Sequence, residues 1–557
     1  MSPSSTGWPS LDPRLRVEST PSFCVICTGK TACATATATA TADTAAAYFP
    51  NSGSAEVVGA EAEAEAGAGA GVVGPEQSSP CGSVVGVVCV DVVCPYTRAL
   101  VLDGLQRRRR AWKVTTDSAE ATLHWGDYEM IDWERVVAGE LRASSYCVRK
   151  GLSRKAQLSR YCNKYASKRP GTLLKAALPR TLVIDTWEAF DDEMSFNLGG
   201  DIAAFGSDLG VRQSVSLATR LDWCLGEARE WIEEVGAGGG KEGDEEDDGD
   251  DEEKEGGRRP RRRWILKPST LNKGAALALG ERFETLRDAI HGSPDIREWV
   301  LQEYIERPLL ADGRKFHLRA YAMAVGCIQV YLYDTVLVLR AAKRYPVTGR
   351  GVGNGDGGSD AFFDEDPLAH ITNTARQAED ETFREEDNVW ILGDLVAELE
   401  RQGRSPEDAR SKVDGVMSDM RALTTELFRA FRGEFAVFSP LPGCFEHFGL
   451  DFMVDEDFHV WLLEANPGPD FKQTGSRLQH VIEGLIEGSM RICLDEHEQK
   501  ARVTGGGDNK CSAASGAAGE AVPAAAAPTP TGAGTGFTLL LDEQWRGTSS
   551  APSMRLI

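Results

Sequence analysis

The chain has 557 residues, 41% of them hydrophobic, and a formal net charge of −24. That length suggests roughly two to four domains rather than one core, no run approaches the ~18 apolar residues of a membrane-crossing helix, and the negative balance argues against general nucleic-acid binding. The 13 cysteines are scattered, with Cys24 and Cys27 the one C-x-x-C pair and Cys33 near it, which fits a reduced intracellular chain better than a zinc module.

Residues 1–83 are dominated by Ser, Thr, Ala and Gly. They hold too little apolar surface to offset chain entropy and are expected to be disordered. Few acids precede position 40, which leaves an organelle transit peptide open, although the apolar core of a secretory signal is missing. Order is expected to begin with a buried strand at Val84–Val93, followed by a helix from about Tyr96 to Arg109 and a strand around Trp112–Thr116. Ala121–Val137 reads as strand, loop and helix start, so 84–190 is predicted to be a small amino-terminal α/β domain.

Positions 141–180 hold ten lysines and arginines besides Arg142 and no Asp or Glu. Arg149, Lys150, Arg154, Lys155, Arg160 and Lys164 fall in a predicted helix with Leu152, Leu158, Tyr161 and Tyr165 toward the core. A solvated charged face is the simple reading. The lack of local counter-charges points instead to an acidic polymer steered by the field of the block. The connecting region 191–263 ends in an insertion, 236–263, that runs from acidic to basic and is expected to be a flexible linker.

From Trp264 the character changes. Trp264–Leu279 reads as a strand ending in Lys267, a loop with Lys273 and Gly274, and a second strand; such a lysine beside a small-residue loop can neutralise phosphate. Trp299–Leu310 is a strand with a polar interruption. Arg314–Ala341 reads as three antiparallel strands, the first alternating Lys315, His317 and Arg319 along one face. A Gly/Asp-rich loop follows. A helix is predicted from about Glu407 to Phe431, from Val413, Val416, Met420, Leu423 and Leu427 at helical spacing, and a last helix from about Ser476 to Leu494.

Between these helices lies HFGLDFMVDEDFHVWLLEANPGPD, His447–Asp470. Two apolar runs flank an acidic turn, as in a β-hairpin. Glu464 and Asn466, two apart, share a face, and Asp451 can meet them from the paired strand. Two carboxylates and an amide are hard oxygen donors that suit Mg²⁺ with a nucleotide phosphate. The rest, from about 496 to 557, reads as a second disordered tail broken by GFTLLLDEQW.

WILKP, LQEYIERPLL, RKFHLRAY, VYLYDTVLVLR, HITN at His370–Asn373 and FGLDFMVDEDFHVWLLEANPGP, in this order, resemble the tubulin-tyrosine ligase family, whose fold is ATP-grasp. The similarity spans about Val84–Cys493, and RKGLSRKAQLSRY and ALPRT resemble the amino-terminal part of the tyrosine ligase. The resemblance implies an α/β (α+β) ATP-grasp region at 264–495, and an ATP- and Mg²⁺-dependent ligase. Asp451, Glu464 and Asn466 would hold the metal. Lys267 and Lys315, with the loop of Lys273 and Gly274, would hold phosphates; Gln302, Glu303, Tyr304 and Ile305 would form the adenine hinge; His317, Thr372 and Asn373 would complete the nucleotide site. Arg340 would bind the incoming amino acid's carboxylate, Arg319 would stabilise charge on an acyl-phosphate, and His370 would line the site. The implied partners are the acidic C-terminal tail of tubulin and free tyrosine or glutamate, with no nucleic acid and no membrane, in the cytoplasm or at the cytoskeleton. Two departures bear on activity: His317 stands where the family commonly has Asp, and Ala276 where a second loop glycine is expected. They keep a non-catalytic tail-binding protein open as the alternative.

Overall fold

The Val-rich run after residue 84 is apolar enough to bury both faces, and it becomes an inner strand of a parallel sheet. In a computed structural model of the chain, residues 84–190, 217–233, 263–271, 276–346, 366–378, 380–381, 383–469, 471, 478–495 and 534–543 are described; they fall in one contact unit, Ser78–Ile557. The expectations for 1–83, for most of the 236–263 insertion, for the Gly/Asp-rich loop and for Lys273 and Gly274 lie outside these residues. The amino-terminal sheet has β1 (Gly86–Asp91), β2 (Trp112–Thr115), β3 (Leu123–Gly126) and β4 (Arg142–Ala143) in the order β2-β1-β3-β4, all parallel. Helix α1 (Pro95–Arg107), started by Pro at its first turn, makes the crossover.

The predicted basic helix is split. Lys150–Ser153 and α2 (Lys155–Lys168) are separate because Arg154 takes an extended backbone. Beyond it, β5 (Thr181–Asp185), β6 (Trp264–Pro268), β7 (Ala278–Gly280) and β8 (Glu298–Glu303) form an antiparallel sheet in the order β5-β8-β6-β7. Trp264 and Trp299 on this sheet pack against Leu221, Trp231 and Phe283, the last on α3 (Phe283–His291).

A larger antiparallel sheet is built on β10 (Arg314–Val325). Around it stand β9 (Leu310–Ala311), β11 (Gln329–Tyr333), β12 (Leu337–Arg340), β13 (Val389–Ile391), β14 (Phe445–Val454), β15 (Val460–Pro467) and β16 (Phe537–Asp542). Phe316, Leu318, Ala320 and Ala322 share a core with Val413, Val416, Met420 and Leu423 of α4 (Pro406–Ala430), a helix capped by the Ser405 hydroxyl and opened by Pro406. Tyr321 and Met323, on the other face, share a core with Val481, Ile482 and Leu485 of α5 (Gln479–Met490). Two α+β sheets therefore close on one cleft, the ATP-grasp arrangement. The expected carboxy-terminal tail needs correction at one point: β16 pairs with β11, because Phe537 and Leu541 bury against the sheet. No helix among the described residues is long and apolar enough to cross a membrane.

Candidate active site

Strand alternation and register build the polar floor of the cleft. Lys315, His317 and Arg319 share one face of β10; Arg319 pairs with Asp451 of β14, and Asp451 with Glu464 of β15. Cross-strand partners point the same way, so all these groups meet. Asn466 Nδ2 lies 3.2 Å from Asp451 Oδ2 and 3.1 Å from Glu464 Oε1, which brings the three expected metal ligands to one point. Arg319 grips Asp451 with two bonds, Nη2 to Oδ2 at 3.0 Å and Nε to Oδ1.

The donor set fits a hard divalent cation. It offers carboxylate oxygens and an amide whose oxygen and nitrogen exchange by a flip, and His317 Nε2, buried without a hydrogen-bond partner, lies 4.0 Å from Asp451. Burial pushes the Asp451 carboxyl up to about 7 against the pull of Arg319. Burial works against Glu464 too, but the ammonium groups of Lys155 and Lys267 outweigh it and hold that carboxyl well below the usual range. Burial lowers Lys267, and it lowers Lys315 much further, the charge of Lys267 adding to the effect. Two desolvated ammonium groups side by side favour an anion between them.

The nucleotide side is assembled from segments far apart in the sequence. Lys155, Lys267, Gln302–Ile305, Lys315, His317, His370, Thr372, Asn373, Asp451 and Glu464 line one cleft with the apolar Ile265, Leu271, Leu277, Met453 and Leu463. Lys267 Nζ donates to Gln302 Oε1 at 3.0 Å, the Lys315 ammonium lies 3.9 Å from the centre of the Tyr304 ring, and the Tyr304 hydroxyl is 2.9 Å from His370 Nδ1. His317 Nδ1 is 2.7 Å from Thr372 Oγ1. Burial and the nearby Arg319 cation push this imidazole down to about 3, so it stays neutral at physiological pH and ties β10 to the Thr372 segment. Ala276 has φ +52°, a left-handed conformation that glycine adopts without strain; the expected loop glycine is missing where the backbone asks for one.

Three expectations change. Arg340 pairs with Phe316 and so shares the face opposite Lys315 and His317; its guanidinium stacks 3.7 Å from the Trp390 ring centre and donates to the Asp387 carbonyl. It does not line the cleft, and the carboxylate-binding role does not fit it there. Its sequence gave no warning, because the face of a strand end depends on a register that spacing does not fix. Arg319 is engaged with Asp451, so it holds a ligand in place and does not face the cleft directly. Lys155, read as part of the basic block, lines the cleft with Nζ 3.3 Å from Glu464 Oε2. No local signal could have found it, since its partner lies some 300 residues away.

The basic block also has counter-charges after all. Arg149 pairs with Glu446, Lys164 with Glu434 at 2.6 Å and Arg160 with Glu298 at 3.9 Å, acids that the fold brings from other segments. Lys168, Arg169, Arg429 and Arg432 line a separate groove with Tyr161, Tyr165, Glu434 and Glu543.

Residues 246–502 match the model of the Tubulin-tyrosine ligase family. Over 411 residues the chain is 28% identical to a probable tubulin–tyrosine ligase of Saccharomyces cerevisiae, a match that covers 67% of this chain and 45% of the yeast protein. Over 433 residues it is 27% identical to a probable tubulin–tyrosine ligase of Schizosaccharomyces pombe, covering 72% and 89%. The crystal structure of the C-terminal domain of K. lactis Pby1, described as an ATP-grasp enzyme interacting with the mRNA decapping enzyme Dcp2, aligns with a TM-score of 0.48 at 22% identity, over 74% of this chain and 94% of that one.

Proposed function

We propose, for a chain whose residues 246–502 belong to the tubulin-tyrosine ligase family, that the cleft ligates a free amino acid, tyrosine in the first instance, to the acidic C-terminal tail of tubulin at the expense of ATP. The observation that carries this reading is the meeting of Asp451, Glu464 and Asn466 beside Lys267 and Lys315 in one cleft. Lys267 and Lys315 hold the phosphates. The Gln302–Ile305 hinge takes the adenine against Ile265, Met453 and Leu463, and Thr372 and Asn373 complete the nucleotide site. Bound Mg²⁺, held by Asp451, Glu464 and Asn466, supplies charge neutralisation for the transferring phosphoryl group.

A carboxylate is a poor acyl donor. An oxygen of the tail carboxylate therefore attacks the γ-phosphorus and ADP leaves; the amine of the free amino acid then attacks the resulting acyl-phosphate, losing a proton as inorganic phosphate departs. Arg319 contributes by fixing Asp451, and buried Lys315 by meeting developing negative charge with a cation that water does not screen. The protein works in the cytoplasm, where tubulin tails are found. Glutamate is the alternative amino acid. His317 in place of the family's acid and the strained Ala276 favour a second reading, a tail-binding protein with a weakened nucleotide site.

Incorporation of labelled tyrosine or glutamate into detyrosinated tubulin separates these readings. The ligase predicts ATP-dependent label with the wild-type chain and none with the Asp451→Ala, Glu464→Ala double variant. Tubulin bound by both chains with label from neither establishes the binder.

A further inference from the structure

Away from the cleft, the amino-terminal parallel sheet gathers three side chains of metal-ligating type that the ligase reading leaves unused. Cys89 and Asp91 stand two apart on β1 and share a face, and the β1–β3 register sets His124 directly beside Cys89. Cys89 Sγ is 3.3 Å from Asp91 Oδ2, His124 Nε2 is 3.0 Å from the same oxygen, and the three ligand atoms lie within 4.8 Å of one another. Cys89 and His124 are 0% and 1% exposed, whereas the Asp91 side chain is 37% exposed and leaves a way in from solvent.

His124 is the informative member. Neither ring nitrogen has a hydrogen-bond partner, so Nε2 approaches Asp91 without hydrogen-bond geometry. A buried polar group left so destabilises the fold, and a shared cation would relieve it. The backbone is fitted to the imidazole: a Cβ on Gly126 would stand 2.9 Å from His124 Nε2 and 2.9 Å from the Asp91 carbonyl oxygen.

We propose that Cys89, Asp91 and His124 form a binding site for a divalent transition metal, with Zn²⁺ the cation that these ligand types suit best. Around tetrahedral zinc, bonds of about 2.3 Å to sulfur and about 2.0 Å to nitrogen and oxygen set the sulfur–oxygen and nitrogen–oxygen separations near about 3.5 and 3.3 Å. The observed 3.3 and 3.0 Å need only small rotations. Sulfur and imidazole nitrogen exclude Mg²⁺ as the natural occupant and separate this site chemically from the all-oxygen set in the cleft. Three protein ligands leave a fourth position, on the exposed Asp91 side, for water. Binding turns the Cys89 thiol into thiolate and releases its proton.

The test is titration of the chelator-stripped full chain with Co²⁺, followed by thiolate-to-cobalt charge-transfer absorption, then displacement by Zn²⁺. The site predicts one equivalent of cobalt with that absorption, loss of the band in Cys89→Ser, and weakening by more than about 100-fold in His124→Gln, since even supporting partners outside a ligand sphere are worth roughly 10–100-fold. The band must survive in the Cys24→Ser, Cys27→Ser and the Asp451→Asn, Glu464→Gln variants. Because Cys89→Ser could misfold, the wild-type chain gives a second readout: zinc must protect Cys89 from alkylation, with mass spectrometry locating the label. No band at one equivalent, a band retained in Cys89→Ser, or alkylation of Cys89 at the same rate with and without zinc overturns the proposal.

Discussion

Asp451 and Glu464 show how differently two neighbouring carboxylates can stand in one fold. Asp451 is buried and gripped by two guanidinium bonds, yet burial pushes its carboxyl up to about 7, so at neutral pH its charge contributes little net stability. Glu464 is held well below the usual range against burial by Lys155 and Lys267, so Glu464→Gln should lower stability at neutral pH more than Asp451→Asn; urea denaturation of the two variants checks the order. At this scale the sequence was informative where period two applied. Asp451, Glu464 and Asn466 converge because strand alternation demands it. Lys155 and Arg340 were misjudged for a common reason, that one depends on a distant partner and the other on a strand register, and neither is written in local spacing.

Among the elements, β14 is buried along its whole length and carries three titratable groups, of which the neighbours Glu446 and His447 respond to pH in opposite directions. His447, bonded through Nε2 to Ser489 Oγ of α5 at 2.7 Å, is pushed by burial down to about 4. Its folded state binds fewer protons than the unfolded chain between pH 6.5 and 4, so the stability it contributes is complete above 6.5 and falls as pH drops through that window, by up to about 3 kcal/mol. Neighbouring Glu446 is pushed up to about 7 by burial, with Arg149 opposing, and this works in the other direction, favouring the fold as pH falls from 7 to 4.5. His447→Gln isolates the first effect: the variant should lose less stability than wild type between pH 6.5 and 4, and parallel curves would contradict this. The hairpin, the β10–β12 meander and α4 were legible because each satisfies one clear period. Strand β16 was not, since the short run FTLLLD inside an Ala/Gly/Pro tail shows no partner until β11 offers an open edge.

At the scale of the whole molecule, a block of cations without local acids looked like a free binding surface, yet the fold supplies Glu434, Glu446 and Glu464 to it. Lys168 and Arg169 of the block line a groove with Arg429 and Arg432, which pair with Glu543 there. Lys168→Glu with Arg169→Glu should weaken tubulin binding, most at low salt where charge steering counts, and leave ATP affinity unchanged; a cosedimentation assay across ionic strength checks it. Lys155→Glu should instead reduce ATP affinity, because that lysine belongs to the cleft. The order of the motifs was legible in the sequence, whereas the pairing of charges across segments required the fold.

Whether Asp451, Glu464 and Asn466 present a metal to phosphates held by Lys267 and Lys315 is read by calorimetric titration of the full chain with a non-hydrolysable ATP analogue, with and without Mg²⁺. Affinity should rise with Mg²⁺ in the wild-type chain and show no such rise in the Asp451→Asn, Glu464→Gln variant; an equal Mg²⁺ response in both chains would rule the metal site out.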